Sequence, residues 1–209
     1  MKYRTVKLRM IISLILVVIA FTLAFMLLPY LNMTNNTSIT SAIVVNSQIV
    51  DKYFGGKWNE NNSLSGYVEP EKSYYIVHFY NGTTDNVSSG NFTLINPTIS
   101  KYLGIIEVEL RNINFTTFYN ENQTLSIIIL NYTSTMEPKN IYNTIYTTFK
   151  DNSKVIALSF HNISSNAFIA SINCYQFSIG YSGNEIVIVF YKGYEDESLA
   201  ITDLTNYML

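Results

Sequence analysis

The chain has 209 residues, of which 48% are hydrophobic and only 13% charged, about half the usual charged share. Lys2, Arg4, Lys7 and Arg9 make the first nine residues +4, which leaves nine of the 13 Lys/Arg against all 15 Asp/Glu, a balance of −6. A nucleic-acid binder needs a basic face to neutralise phosphates, so that partner class is excluded.

Residues 1–9 read as a basic cytoplasmic tail. Met10–Leu28 follows, apolar but for Ser13 and Thr22. Lipid offers the backbone no hydrogen-bond partner, so a run of this kind must be helical. Nineteen residues at about 1.5 Å each span about 28 Å, close to the hydrocarbon thickness. The sequence therefore predicts a transmembrane signal-anchor over 10–31, ended by Pro29, with the basic side retained inside and the C-terminal side outside. The alternative is a cleavable signal peptide, with Ala20 or Ala24 at the cleavage site, although the run exceeds the usual h-region. The first reading gives a single-pass membrane protein with an extracellular C-terminal domain. The second gives a secreted one.

A polar linker, 32–38, precedes the expected extracellular domain, 39–209. Ile39, Ala42, Ile43, Asn46, Ile49, Val50, Tyr53 and Phe54 recur at helical spacing, and Gly55-Gly56 supplies a stop. Ser73–Tyr80 reads as a strand running into Asn81-Gly82, a hairpin signal. Ile105–Arg111 alternates cleanly, and Gln123–Tyr132 is a long apolar strand. Met136–Lys150 is a helix, with Thr135 available to cap it, Pro138 in its first turn, and Ile141, Ile145 and Phe149 on one face. Strands are expected at Val155–Phe160, Ala167–Ile179 and Glu185–Tyr191, the last two joined by a turn at Tyr181-Ser182-Gly183-Asn184. Glu195–Tyr207 reads as a closing helix with an acidic start, which suits the helix dipole. This order predicts an α+β ectodomain with antiparallel sheet covered by helices. An all-β sandwich is the alternative.

Asn-x-Ser/Thr occurs eleven times among 24 asparagines, about twice what chance gives in a chain this rich in Ser and Thr. The candidates for covalently attached glycans are Asn32, Asn35, Asn36, Asn61, Asn81, Asn86, Asn91, Asn114, Asn122 and Asn162. Asn131 shares a strand face with Leu125, Ile127 and Ile129 and is a poor acceptor. A surface of Asn, Ser, Thr and sugar stays hydrated in acid, where carboxylates lose their charge. In this respect the composition resembles that of surface proteins of thermoacidophilic archaea and their viruses, without any shared motif.

Motifs for chemistry are sparse. Cys174 is alone, so no internal disulfide forms, and it reads as a small buried hydrophobe. His78 and His161 are unclustered, which leaves a zinc site little to draw on. Glu107, Glu109 and Arg111 read as an ion-paired solvated strand face, and Glu195, Asp196 and Glu197 as a helix start. Ser182 lacks the G-x-S-x-G elbow, and Gly55-Gly56-Lys57 lacks the rest of a phosphate loop. No catalytic residue, metal or cofactor is expected. Tyr74, Tyr75, Phe79 and Tyr80 form the densest aromatic cluster, read first as core and sheet-edge packing.

The sequence thus points to a non-enzymatic, membrane-associated surface or envelope glycoprotein whose partners are the membrane, other envelope proteins or a neighbouring subunit. A secreted antimicrobial, bacteriocin-like protein acting on related cells is the first alternative. A surface filament subunit is the second, and an extracellular hydrolase the least favoured.

Overall fold

The structure, a computed structural model, describes residues 44–71, 74–88, 110–150, 157–159, 166–172 and 174–209. The first described element is a helix, α1 (Ser47–Phe54). It starts where the Asn46 side chain accepts from the Ile49 N–H at 3.1 Å, a side-chain cap. It stops at Gly55, which turns to φ 70° and donates its N–H to Asp51 O.

Four strands follow: β1 (Asn59–Glu60), β2 (Gly66–Pro70), β3 (Tyr74–Phe79) and β4 (Thr84–Ser88). Next come the long hairpin β5 (Leu110–Asn120) and β6 (Gln123–Tyr132), then helix α2 (Met136–Lys150). The chain ends with β7 (Ala157–Ser159), β8 (Ala167–Ile172), β9 (Tyr175–Ser182), β10 (Glu185–Lys192) and helix α3 (Ser198–Met208). All the described strands join one sheet in the order β4-β3-β2-β5-β6-β10-β9-β8-β7, with β1 also paired to β5, and every described pairing is antiparallel.

Alternation along the central strands sends side chains to two cores. Ile128, Leu130, Ile186, Ile188, Phe190, Phe177 and Ile179 meet Ile141, Tyr142, Ile145 and Phe149 of α2 on one face. Leu125, Ile127, Val187, Val189 and Tyr191 meet Val50 of α1, Trp58, and Ile201, Leu204 and Met208 of α3 on the other. β10 is therefore buried on both sides along most of its length. The register shifts between Leu110 and Asn112, so Leu110 and Ile113 face the same core although three residues apart.

Helix α2 buries its apolar stripe, Pro138 included, and caps with Ser134, whose Oγ accepts from the Met136 N–H at 3.2 Å. The expected cap, Thr135, has no such role. Helix α3 needs no strong polar face, because the hydroxyls of Thr202 and Thr205 donate to carbonyls one turn back at 2.7 Å. Thr205 also meets the buried Ser178 hydroxyl across the interface.

Several expectations are corrected. The membrane-spanning helix of the expected fold class has no counterpart here: among the described residues no helix is long and apolar enough to cross a membrane. The longest, α2, has 15 residues. At about 1.5 Å per residue that is about 22 Å, short of a bilayer core, and one face of α2 is polar. Met10–Leu28, with Ala20 and Ala24, lies outside the described residues. The single-pass, signal-anchored topology and the cell-membrane localisation drawn from that segment are accordingly replaced by what is seen, an α+β domain with three helices and no span among the described residues.

The sandwich alternative fails because the described strands form one sheet with helices on both faces. The strand expected over Ala167–Ile179 is two, parted by a turn at Cys174, which is half-buried rather than enclosed in a strand. α3 begins at Ser198 rather than at Glu195, since Asp196 Oδ1 takes the Ser198 N–H at 3.1 Å and holds the preceding loop outside the helix. β2 and the length of β5 were not expected at all.

Candidate functional site

Among the described residues, two surfaces carry exposed chemistry. The first is the outer face of β2, β3 and β5. Helices α1 and α3 cover the β6–β10–β9 part of that side. Farther out, Tyr67, Glu69, Tyr74, Thr84 and Asn86 remain exposed. Cross-strand pairing sets Tyr67 opposite His78, and their rings stack with centroids 4.6 Å apart at 12°. Glu69 Oε2 approaches His78 Nε2 to 3.4 Å. The alignment there does not satisfy a hydrogen bond, and Nε2 has no other partner. Asn114 lies opposite Tyr67 on the other side, and Asn112 accepts from Asn131 Nδ2 at 2.7 Å. The strip is thus aromatic and amide-rich, with one carboxylate and one imidazole.

The second is a cleft of ≈ 670 Å³ at one end of the sheet. Its walls are the end of α1 (Phe54 to Lys57), the β5–β6 turn (Asn120 to Gln123), and Tyr194, Glu195 and Glu197 of the loop before α3. Local packing fixes each wall. The Trp58 N–H donates to Asp51 Oδ1 at 2.7 Å and its indole N–H to Gly55 O at 3.0 Å. The Gln176 amide clamps the acidic loop, donating to Glu195 O at 2.8 Å and accepting from the Glu197 N–H at 2.9 Å. Glu121 sits at φ 51° at the head of the hairpin turn.

Beneath the cleft, Phe54 stacks on Tyr191 and meets Trp58 edge-on. Gly193 leaves room for the Tyr191 ring; a Cβ there would fall 2.0 Å from the phenol oxygen. Burial, and then the Glu197 and Glu195 carboxylates, push the Tyr191 phenol up to about 12. The Glu195 backbone lowers it slightly, but no contact there has hydrogen-bond geometry. Burial, with Glu195 and Asp196 close by, raises the Glu197 carboxyl above its ordinary range. Lys57 is the cationic lining residue against Glu121, Glu195 and Glu197. Among the described residues no three His, Cys, Asp or Glu side chains are placed to hold a metal ion. The cleft offers hydrogen bonds and negative potential, and its lining holds no histidine, cysteine or serine.

The glycan candidates divide by place. Asn81 and Asn122 are exposed in turns, Asn86 is exposed on β4, and Asn61 and Asn114 are half-buried. The Asn61 side chain accepts from the Ser63 N–H at 3.1 Å. Asn32, Asn35, Asn36, Asn91 and Asn162 lie outside the described residues, as do His161, Glu107 and Glu109. The turns at Asn81 and Asn122 and the Asn61 loop gather at the same end of the sheet, as the pairing of β1, β2, β3 and β6 with β5 and one another requires. Sequence reading missed Asn120, Glu121 and Tyr194 as cleft residues. A polar triplet between two apolar runs was the available signal.

The fold defines an α+β domain with one large antiparallel sheet. No family model matches the sequence, and no curated protein is significantly similar to it. A solved structure of like fold is the extracellular domain of PknH from Mycobacterium tuberculosis, at TM-score 0.50 and 12% identity, covering 80% of this chain and 94% of that one. At that identity the likeness is one of fold.

Proposed function

We propose that this chain is a non-enzymatic, exported surface glycoprotein whose sheet domain works outside the cell. The observation that carries the reading is the fold shared with an extracellular domain over most of both chains. The uncharged polar surface and the excess of sequons support it. The Tyr67–His78–Glu69 strip offers a partner a flat aromatic and amide surface, the kind of face a protein or sugar covers. Other surface proteins, or a second copy, are the partners that suit it.

The test is protease treatment of intact cells together with assay of the medium, using antibody to residues 44–209. The domain should be cleaved on intact cells or recovered outside them. Full protection until the cells are broken would end the reading.

A further inference from the structure

Glycan attachment needs a specific local chemistry, and the structure sorts the sequons by it. The Asn81 amide sits in the β3–β4 turn, where Asn81, Gly82 and Thr83 are all exposed. Its Oδ1 accepts both the Thr83 N–H at 3.0 Å and the Thr83 hydroxyl at 2.7 Å. Two donors on that oxygen stabilise the charge it acquires as Nδ2 gives up a proton, so the nitrogen becomes a better nucleophile. Gly82, at φ 88° with nothing within 4 Å of a Cβ position, leaves the turn uncrowded. One Nδ2 proton reaches Ser63 Oγ at 3.2 Å, and the other stays available.

The remaining described sequons lack this combination: Asn61 is half-buried and accepts the Ser63 N–H without its hydroxyl, and Asn86 is exposed but lies within β4. Asn114 is half-buried in mid-strand, held between β2 and β6, and its Thr116 is half-buried too. Asn131 is half-buried within β6, held between β5 and β10, and donates from Nδ2 to Asn112. Asn122 is exposed, but Thr124 is already paired in β6 opposite Tyr119.

We propose that Asn81 is the principal N-glycosylation site of the described domain, and that Asn114 and Asn131 remain bare; this rests on the exported-glycoprotein reading. The donor is a sugar linked through phosphate to a lipid. Asn81 Nδ2 attacks C1 of that sugar, and the N–C1 bond forms with the nitrogen's electron pair. The C1–O bond breaks, its pair leaves with the lipid phosphate, and the amide proton passes to a base of the transferase. Thr83 takes part through its hydroxyl without being consumed.

The experiment is peptide mass mapping of the full chain isolated from its native cells, with site occupancy read at Asn61, Asn81, Asn86, Asn114, Asn122 and Asn131. The Asn81 peptide should carry sugar mass at the highest occupancy, and the Asn114 and Asn131 peptides none. Asn81→Gln and Thr83→Ala should each remove one glycan from the intact mass, whereas Thr83→Ser should keep it. An unmodified Asn81, or sugar on Asn114 or Asn131, would overturn the proposal. A bare chain that is still digested on intact cells refutes this site and spares the surface reading. A bare chain protected until lysis refutes both.

Discussion

The two halves of the sheet are built from similar residues and do different work. Around β10, every strand face is covered: α2 lies on one side, α1 and α3 on the other, and Ile186 to Tyr191 are all buried. Around β2 and β3, only the Val68 and Val77 side is covered, and Tyr67 on the other is 37% exposed. Burial of apolar area drives folding, so the first half carries the stability. The second half is held in register by its neighbours and can present side chains that contribute little to folding. A domain of this design can change its outer face with little effect on its core.

Mutation tests this division, starting with the largest effect. Val189→Asp places an unpaired carboxylate in a site that is 0% exposed. The cost should be on the order of 5 kcal/mol, comparable to the whole stability of a modest domain, and no cooperative unfolding transition should remain in denaturant melts. Ile188→Ala, at 1% exposure, should lose about 2–5 kcal/mol in the same measurement.

Gly66→Ala probes the open half where it is tightest. A Cβ there would lie 2.0 Å from His78 O, a backbone atom that cannot swing away. Spreading β2 from β3 should cost about 1–3 kcal/mol. If it exceeded the Ile188→Ala loss, the division between the halves would be wrong. Tyr67→Ala removes the stack on His78 and should cost only about 0.5–1.5 kcal/mol.

The smallest effect is a pH dependence within the covered half. Burial raises the Glu185 carboxyl above its ordinary range. The folded state therefore binds that proton more tightly than the unfolded state. Its contribution favours folding as pH falls through the raised pKa, and is lost as pH rises past it. Glu185→Gln should be slightly more stable than the natural chain at neutral pH. That advantage should vanish as pH nears the ordinary carboxyl range of about 4. Parallel denaturation midpoints across this range check it, and an advantage independent of pH would refute the linkage.

Legibility in the sequence followed this same division. The α2 bounds, the Gly183-Asn184 turn and β6 are strongly patterned, because each buries one or both faces and the apolar period shows it. β2 is short and half polar, and its Tyr67–His78 stack is a cross-strand contact that periodicity cannot encode. β5 mixes Asn and Thr into its outer face and changes phase near its start, which hides its length. The continuous reading of Ala167–Ile179 failed for the opposite reason. Asn173 is the lone turn-type residue between Ile172 and Tyr175, with no Gly or Pro beside it, so the turn at Cys174 leaves little mark in the sequence. The cleft was not legible, since Gly56, Glu121 and Glu195 come from three distant segments.

The irregularity at Arg111 means that β5 keeps two separate counts of in and out. From Asn112 onward the strand obeys one parity, and Leu110 obeys the other. Deleting Arg111 would join the two counts into one regular alternation, and Leu110 and Ile113, then two positions apart, would still share a face. An insertion or deletion ahead of this position can be absorbed at the bulge, while one behind it reverses every side chain up to the hairpin. The bulge is thus a buffer for change in chain length, placed where the sheet passes from its covered half to its open one.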